Sequence, residues 1–191
     1  MHRSDLTPNK IEKINPSQYQ PGWKPAHTTY ITKNRKKAIN DAATNNPDLK
    51  IFTDGSGLDE NIGASAVLYR NNRRKASLRY KLGLSIHHTV YKGEACGTLL
   101  ATKLILNEIN IMLVVIYTDN RAVITASLLM RSSLGHHIFD AFHSMVKTIK
   151  QKHPRITIQI KWIPAHQGVE GNKAADALAK KAITHDSSHS S

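Results

Sequence analysis

Acidic side chains are scarce in this sequence. Its 191 residues hold 14 Asp and Glu against 27 Lys and Arg, a formal charge of +13. A surplus of that size points to a polyanionic partner, nucleic acid above all, over the plainer reading of a solvated surface. Cysteine is scarcer still. Cys96 stands alone, which excludes an internal disulfide and a cysteine metal cluster. No run of about 18 apolar residues occurs, so no membrane-spanning helix and no membrane partner are expected. The opening residues Met1-His2-Arg3-Ser4-Asp5-Leu6 lack the apolar core of a secretion signal. The expectation is an intracellular protein of nucleus or cytoplasm, not a secreted one. Proline is nearly absent after residue 47, where only Pro154 and Pro164 follow.

That last absence divides the chain. Residues 1–48 hold five of the seven prolines and show no sustained period. They read as a Pro-rich linker or lead-in, with a short helix over 36–43 and with Trp23 and Tyr30 pinning it to a domain surface. An independent binding arm is the competing reading. Residues 49–184 read as one folded domain, and 185–191 as a disordered polar tail.

Within the domain, Leu49-Lys50-Ile51-Phe52-Thr53 is a short apolar strand ending at the turn signal Asp54-Gly55-Ser56-Gly57. Strands over 62–69 and 74–82 follow around the turn Asn71-Asn72, giving an antiparallel meander. Helical spacing appears over 90–107, with Ala95, Leu99, Thr102 and Leu106 on one face. Ile111 to Tyr117 is continuously apolar, as a strand buried on both faces should be. Residues 122–130 and 135–151 read as helices, 156–160 as a fifth strand, and 174–179 as part of a last helix. The order predicts an α/β fold. It is a mixed five-stranded sheet, three antiparallel strands and two parallel additions, with helices on both faces.

The few acids fall where this architecture brings chain ends together. Asp54 ends the first strand and Asp119 the fourth, and neighbouring parallel strands place such ends side by side. Glu94 and Asp176 each lie early in a helix, and His166 sits in the loop before Asp176. Singly, each reads as well as a turn, cap or solvated residue. Together, four converging carboxylates repel one another unless a hard divalent cation joins them. Residues 49–184 carry 19 Lys and Arg against 9 Asp and Glu. Gathering four of those nine acids into one pit leaves a basic surface around it, the charge layout that a metal-dependent nuclease needs.

Thr53-Asp54-Gly55-Ser56, Gly93-Glu94-Ala95, Tyr117-Thr118-Asp119-Asn120 and the run from Trp162 through His166 and Asn172 to Asp176 resemble the type 1 ribonuclease H family. Their form, with the Pro-rich lead-in, is most similar to ribonuclease H domains of retrotransposon reverse transcriptases, the fungal-type non-LTR elements in particular. The resemblance implies a ribonuclease H-like fold and cleavage of the RNA strand of RNA–DNA hybrids with two Mg²⁺, Mn²⁺ being a substitute. Products would carry a 5′-phosphate and a 3′-hydroxyl. It implies that Asp54 bridges both ions, that Glu94 and Asp119 complete the leaving-group ion, and that Asp176 completes the ion that activates water. His166 would assist proton transfer or product release. Gly55, Ser56, Thr89, Asn120 and Asn172 would contact substrate, Trp162 would pack under the loop, and a reverse transcriptase domain of the same polyprotein would be a partner.

Two departures stand out. Val90 and Tyr91 occupy positions where the family commonly has polar amides that read the groove. Arg131-Ser132-Ser133-Leu134 is too short for the basic, Trp-containing helix with which some members grip the hybrid. Arg73, Arg74, Lys75, Arg79 and Lys81, or the N-terminal arm, are the available substitutes. The competing functions are a non-catalytic nucleic-acid-binding domain of a retroelement polyprotein and a related-fold integrase or transposase.

Overall fold

The structure, a computed structural model, describes residues 22–129 and 135–185. Pro8, Pro16, Pro21, the segment Arg131-Ser132-Ser133-Leu134 and residues 186–191 of the polar tail lie outside the described residues. The elements run β1 (Thr28–Tyr30), α1 (Arg35–Thr44), β2 (Leu49–Leu58), β3 (Asn61–Arg70), β4 (Arg73–Leu84), α2 (Val90–Leu106), β5 (Leu113–Thr118), α3 (Arg121–Ala126), α4 (His136–Lys152), β6 (Thr157–Trp162) and α5 (Glu170–Thr184).

The strands form one sheet in the order β1-β6-β5-β2-β3-β4. The meander β2–β4 is antiparallel, while β5 lies parallel to β2 and β6 parallel to β5. The α/β fold is therefore the one expected, with six strands where the sequence led to five. The sixth comes from the lead-in: Thr28, Thr29 and Tyr30 pair in parallel with Gln159, Ile160 and Lys161. Three residues are too few for a period to show, yet they cover an edge that would otherwise offer unpaired backbone groups. Trp23 does reach the domain, edge-on to His143 at 4.9 Å. Tyr30 holds on through its β1–β6 pairing, with its side chain exposed.

Asp54-Gly55-Ser56-Gly57 is not a turn. β2 runs on to Leu58 because β3 lies opposite, with Asp54 facing Ser65, Gly55 facing Ala64 and Ser56 facing Gly63. That ladder satisfies backbone groups that a turn would leave to water. The reversals come at Asp59-Glu60 (φ 46 and 56) and at Asn71-Asn72 (φ 53 and 57), the left-handed pairs that two-residue hairpins favour. What does end near Asp54 is the other neighbour, since β5 pairs with β2 only as far as Phe52 and Tyr117. The helix expected over 122–130 is regular only through Ala126. It then tightens, with the Leu128 and Leu129 amides bonding three residues back.

Strand alternation sorts the core. Ile51, Leu68, Val114, Ile116, Ile158 and Ile160 pack with Leu100, Leu104 and Ile105 of α2 and with Phe142, Val146 and Ile149 of α4. Phe52, Val67, Val115 and Tyr117 face the other way, onto Ala42 of α1 and Ala175 of α5. Each large side chain so buried contributes roughly 1.5–3 kcal/mol. α1 is also held by polar contacts. Lys50 Nζ donates to the carbonyl oxygens of Ala42 at 3.0 Å and Ala43 at 3.5 Å and to Asn72 Oδ1 at 3.1 Å. Lys161 Nζ donates to both Asp41 carboxylate oxygens at 2.9 Å.

Candidate active site

The site forms where β2 outruns β5. Asp54 lies two residues past the last β2–β5 pair, and Asp119 follows directly on β5. Glu94 arrives from the second turn of α2, which can come this close because residue 55 is glycine. A Cβ at Gly55 would overlap the Glu94 amide nitrogen and the Gly93 carbonyl carbon. Both nearby helix starts are capped. Thr89 Oγ1 accepts from the Lys92 N–H at 3.2 Å at the head of α2, and Asn120 Oδ1 accepts from the Val123 N–H at 3.1 Å at the head of α3. The Asn120 side chain also hydrogen-bonds the Glu94 carboxylate.

Carboxylate oxygens of Asp54, Glu94 and Asp119 all lie within 4.8 Å of one another. Asp54 and Glu94 are buried and Asp119 is half-buried. Burial first, then the charges of Asp54 and Asp119, pushes Glu94 up to about 9. Burial, then the charges of Asp119 and Asp176, pushes Asp54 up to about 7. Asp119 is raised mainly by burial, with the Asn172 amide and His166 pulling the other way. Asn172 Nδ2 donates to Asp119 Oδ2 at 3.3 Å. The Gly55 N–H donates to both Asp54 and Glu94 and partly offsets the rise. Glu94 Oε2 is buried and has no hydrogen-bond partner. Crowded hard oxygen donors, one of them orphaned and all three carboxyls with raised pKa, suit a divalent cation, which would supply the missing positive charge.

The other two expected residues stand at the rim. Asp176 lies in the second turn of α5, and its Oδ2 accepts from Lys180 Nζ at 2.8 Å. Its charge reaches Asp54 and Asp119, but it is not in the three-carboxylate cluster. Lys180 went unnoticed in the sequence, although its spacing four residues after Asp176 on a helix was the available signal. Ser65 Oγ donates to the Ala175 carbonyl oxygen at 2.6 Å and fixes α5 against β3 beside Asp176. His166 is exposed at positive φ (54) in the loop between β6 and α5. It lies near enough to lower Asp119. Trp162, the last residue of β6, is buried in the core and donates from Nε1 to the Asp119 carbonyl oxygen at 2.9 Å.

The remaining positions divide between fold and surface. Ser56 is buried in the β2–β3 ladder, while Thr89 and Val90 are exposed at the head of α2. Tyr91 packs against the cluster of Ala95, Val123, Ile138 and Phe139. Part of the basic stretch on β4 is occupied inside the fold. Lys75 and Arg70 both pair with Glu108 Oε2, at 2.7 and 2.9 Å, and Arg74 donates to Ser77.

Fold and site define a class: mixed-sheet α/β enzymes with an acidic, cation-suited centre at one end of the sheet, here in a basic chain. The family is more specific. The family model RNase H matches residues 46–184; the chain belongs to the RNase H family and is a ribonuclease H. Among solved structures it is similar to RNase H1 from the halophilic archaeon Halobacterium salinarum NRC-1, with 14% identity, 71% of this chain and 97% of that one covered, and a TM-score of 0.51. LC11-RNase H1 in complex with RNA/DNA hybrid is similar at 16% identity, with coverage of 71% and 96% and a TM-score of 0.54. The N-terminal RNase H domain of Rv2228c from Mycobacterium tuberculosis, solved as a fusion with maltose binding protein, gives 17% identity, coverage of 72% and 94%, and a TM-score of 0.50. At these identities the likeness is one of fold. No curated protein matched by sequence.

Proposed function

We propose that this ribonuclease H hydrolyses the RNA strand of RNA–DNA hybrids by two-metal-ion catalysis with Mg²⁺, Mn²⁺ being a substitute, and that it serves reverse transcription of a retroelement. The observation that carries this is the cluster of three carboxylates within 4.8 Å of one another in a chain of charge +13. Divalent cations bound there supply Lewis-acid polarisation of the phosphodiester and of water. Asp54, whose carboxyl feels the charges of both Asp119 and Asp176, would be shared between two such ions. Glu94 and Asp119 would hold the ion on the leaving-group side, and Asp176, now paired with Lys180, would hold the one on the water side. His166, exposed beside Asp119, carries a proton to or from the reacting oxygens at its ring nitrogen. Gly55, Thr89, Asn120 and Asn172 line the strand's approach, whereas Ser56 is buried in the β2–β3 ladder; cleavage leaves a 5′-phosphate and a 3′-hydroxyl.

The retroelement setting rests on the form of the motifs and on a proline-rich lead-in ahead of the matched residues. Such a setting makes a reverse transcriptase domain of the same polyprotein the natural partner and the nucleus or cytoplasm the place of action.

The test is a labelled RNA–DNA hybrid incubated with the chain in Mg²⁺, beside RNA–RNA and DNA–DNA duplexes. Cleavage confined to the RNA of the hybrid, and reduced to background by Asp119→Asn in a chain that melts normally, is the expected result. Binding without cleavage would point to the non-catalytic reading. DNA duplex cut as readily as hybrid would point to a strand-transfer enzyme.

A further inference from the structure

Asp119 and Asn120 also border a second hollow, of about 530 Å³, beside the carboxylate cluster. Arg35, Arg121, Trp162 and Pro164 complete most of its wall. The Arg121 guanidinium lies 4.0 Å from the centroid of the Trp162 ring, and its Nη2 donates to the Thr32 carbonyl oxygen at 3.5 Å. One such bond leaves most of the five donors of the fork for a ligand. Arg35 is exposed and forms no ion pair with any described residue. It opens α1 within Lys33-Asn34-Arg35-Lys36-Lys37, where four residues of five are cations. The helix that carries it is fixed to the sheet through Lys50 and through the Asp41–Lys161 pair, so Arg35 rides on a held element. It also lies outside residues 46–184, which the family model matches.

Two guanidinium groups, an aromatic wall and an acid of the catalytic cluster meet in this one hollow. Guanidinium forks suit phosphate oxygens, and Asp119 makes the hollow continuous with the cluster. We propose that the hollow is a backbone-phosphate subsite for the nucleic-acid strand that passes the carboxylates, with Arg35 and Arg121 as its phosphate-binding residues. The identity of that strand rests on the hybrid-nuclease reading above. The subsite supplies from the lead-in a grip of the kind that some members of the family take from a basic helix.

The experiment measures hybrid binding by the full-length chain carrying Asp54→Asn, by fluorescence anisotropy in Mg²⁺, across about 50–200 mM salt. Adding Arg35→Ala is expected to weaken binding several-fold at the low end. It should also flatten the slope of log affinity against log salt by about 0.9, the mark of one lost phosphate contact. Arg35→Lys should restore the slope, and Arg35→Ala with Arg121→Ala should flatten it about twice as far. Thermal melts of the Arg35 variants should match the parent. Unchanged affinity and slope in Arg35→Ala would overturn the subsite, and so would a lysine variant that behaves like the alanine. Wild-type chain is assayed for hybrid cleavage alongside. No cleavage with Arg35-dependent binding overturns the nuclease reading and keeps the subsite, whereas cleavage with Arg35-independent binding overturns the subsite alone.

Discussion

Gly55 sits where a strand and a helix meet with no room for a methyl group. Any side chain there runs into the Glu94 amide and the Gly93 carbonyl carbon, both of them backbone. Backbone yields only if the start of α2 moves, and Glu94 moves with it. Gly55→Ala is therefore expected to cost about 1–3 kcal/mol, as overpacking does, and to weaken Mg²⁺ binding as well; a urea melt and a Mg²⁺ titration check the two halves. Asn172→Ala tests the opposite kind of change, a lost donor with no clash. Its amide helps Asp119 ionise, so removing it raises that carboxyl further and lets protons compete better with the cation. The deficit in Mg²⁺ affinity should be larger at the lower of two pH values. A deficit equal at both would mean that Asn172 merely packs.

Lys50 shows how an element outside the matched family residues is fastened. Its ammonium is buried at the end of α1, where it meets the carbonyls of Ala42 and Ala43, and burial lowers its pKa. Lys50→Ala leaves those carbonyls without their donor, and the expected cost is about 1–3 kcal/mol. Hydrogen exchange should quicken in residues 35–44 while α2 stays protected. Uniform exchange across both helices would show that α1 does not open on its own. The same elements show what could be read from sequence. α1 was expected over 36–43 and runs from Arg35 to Thr44, burying Ala38 and Ala42. β5 was legible because Val114 to Tyr117 is apolar on both faces. β1 was not, since Thr28-Thr29-Tyr30 has no period and gains its order from pairing with β6. The continuation of β2 past Asp54 was hidden for a related reason. Asp-Gly-Ser-Gly favours a turn locally, and only the ladder with β3 overrules it. Glu94 and Asp119 were findable because they stand near a helix start and a strand end, and Asp54 because it follows an apolar run, although β2 continues past it. Arg35 was not, because its nearness to Asp119 depends on where α1 docks.

Charge across the whole molecule links pH, cation and stability. In cation-free chain, Glu94 sits at about 9 against an ordinary 4.5, and Asp54 at about 7 against 3.8. The folded state holds these two protons more tightly than the unfolded chain does. Their contribution to stability is therefore complete below about pH 4 and is lost as pH rises through 7 and then 9. His27 and His143 act in the other direction. Burial lowers each from 6.5 to about 4, so their contribution is present above pH 6.5 and is lost as pH falls towards 4. A divalent cation that binds only the folded chain adds about 2.7 kcal/mol at one hundred times its dissociation constant. It binds more tightly as pH rises, because bound protons must leave first. Melts in EDTA and in Mg²⁺ at pH 6 and pH 9 should show the largest gain from Mg²⁺ at pH 9. Glu94→Gln removes the most strongly raised carboxyl. In EDTA it should melt above wild type at pH 9 and near it at pH 5, and it should gain less from Mg²⁺ at either pH. Equal Mg²⁺ gains in wild type and Glu94→Gln would mean that the cation is held elsewhere, and that the raised carboxyls reflect burial without a site.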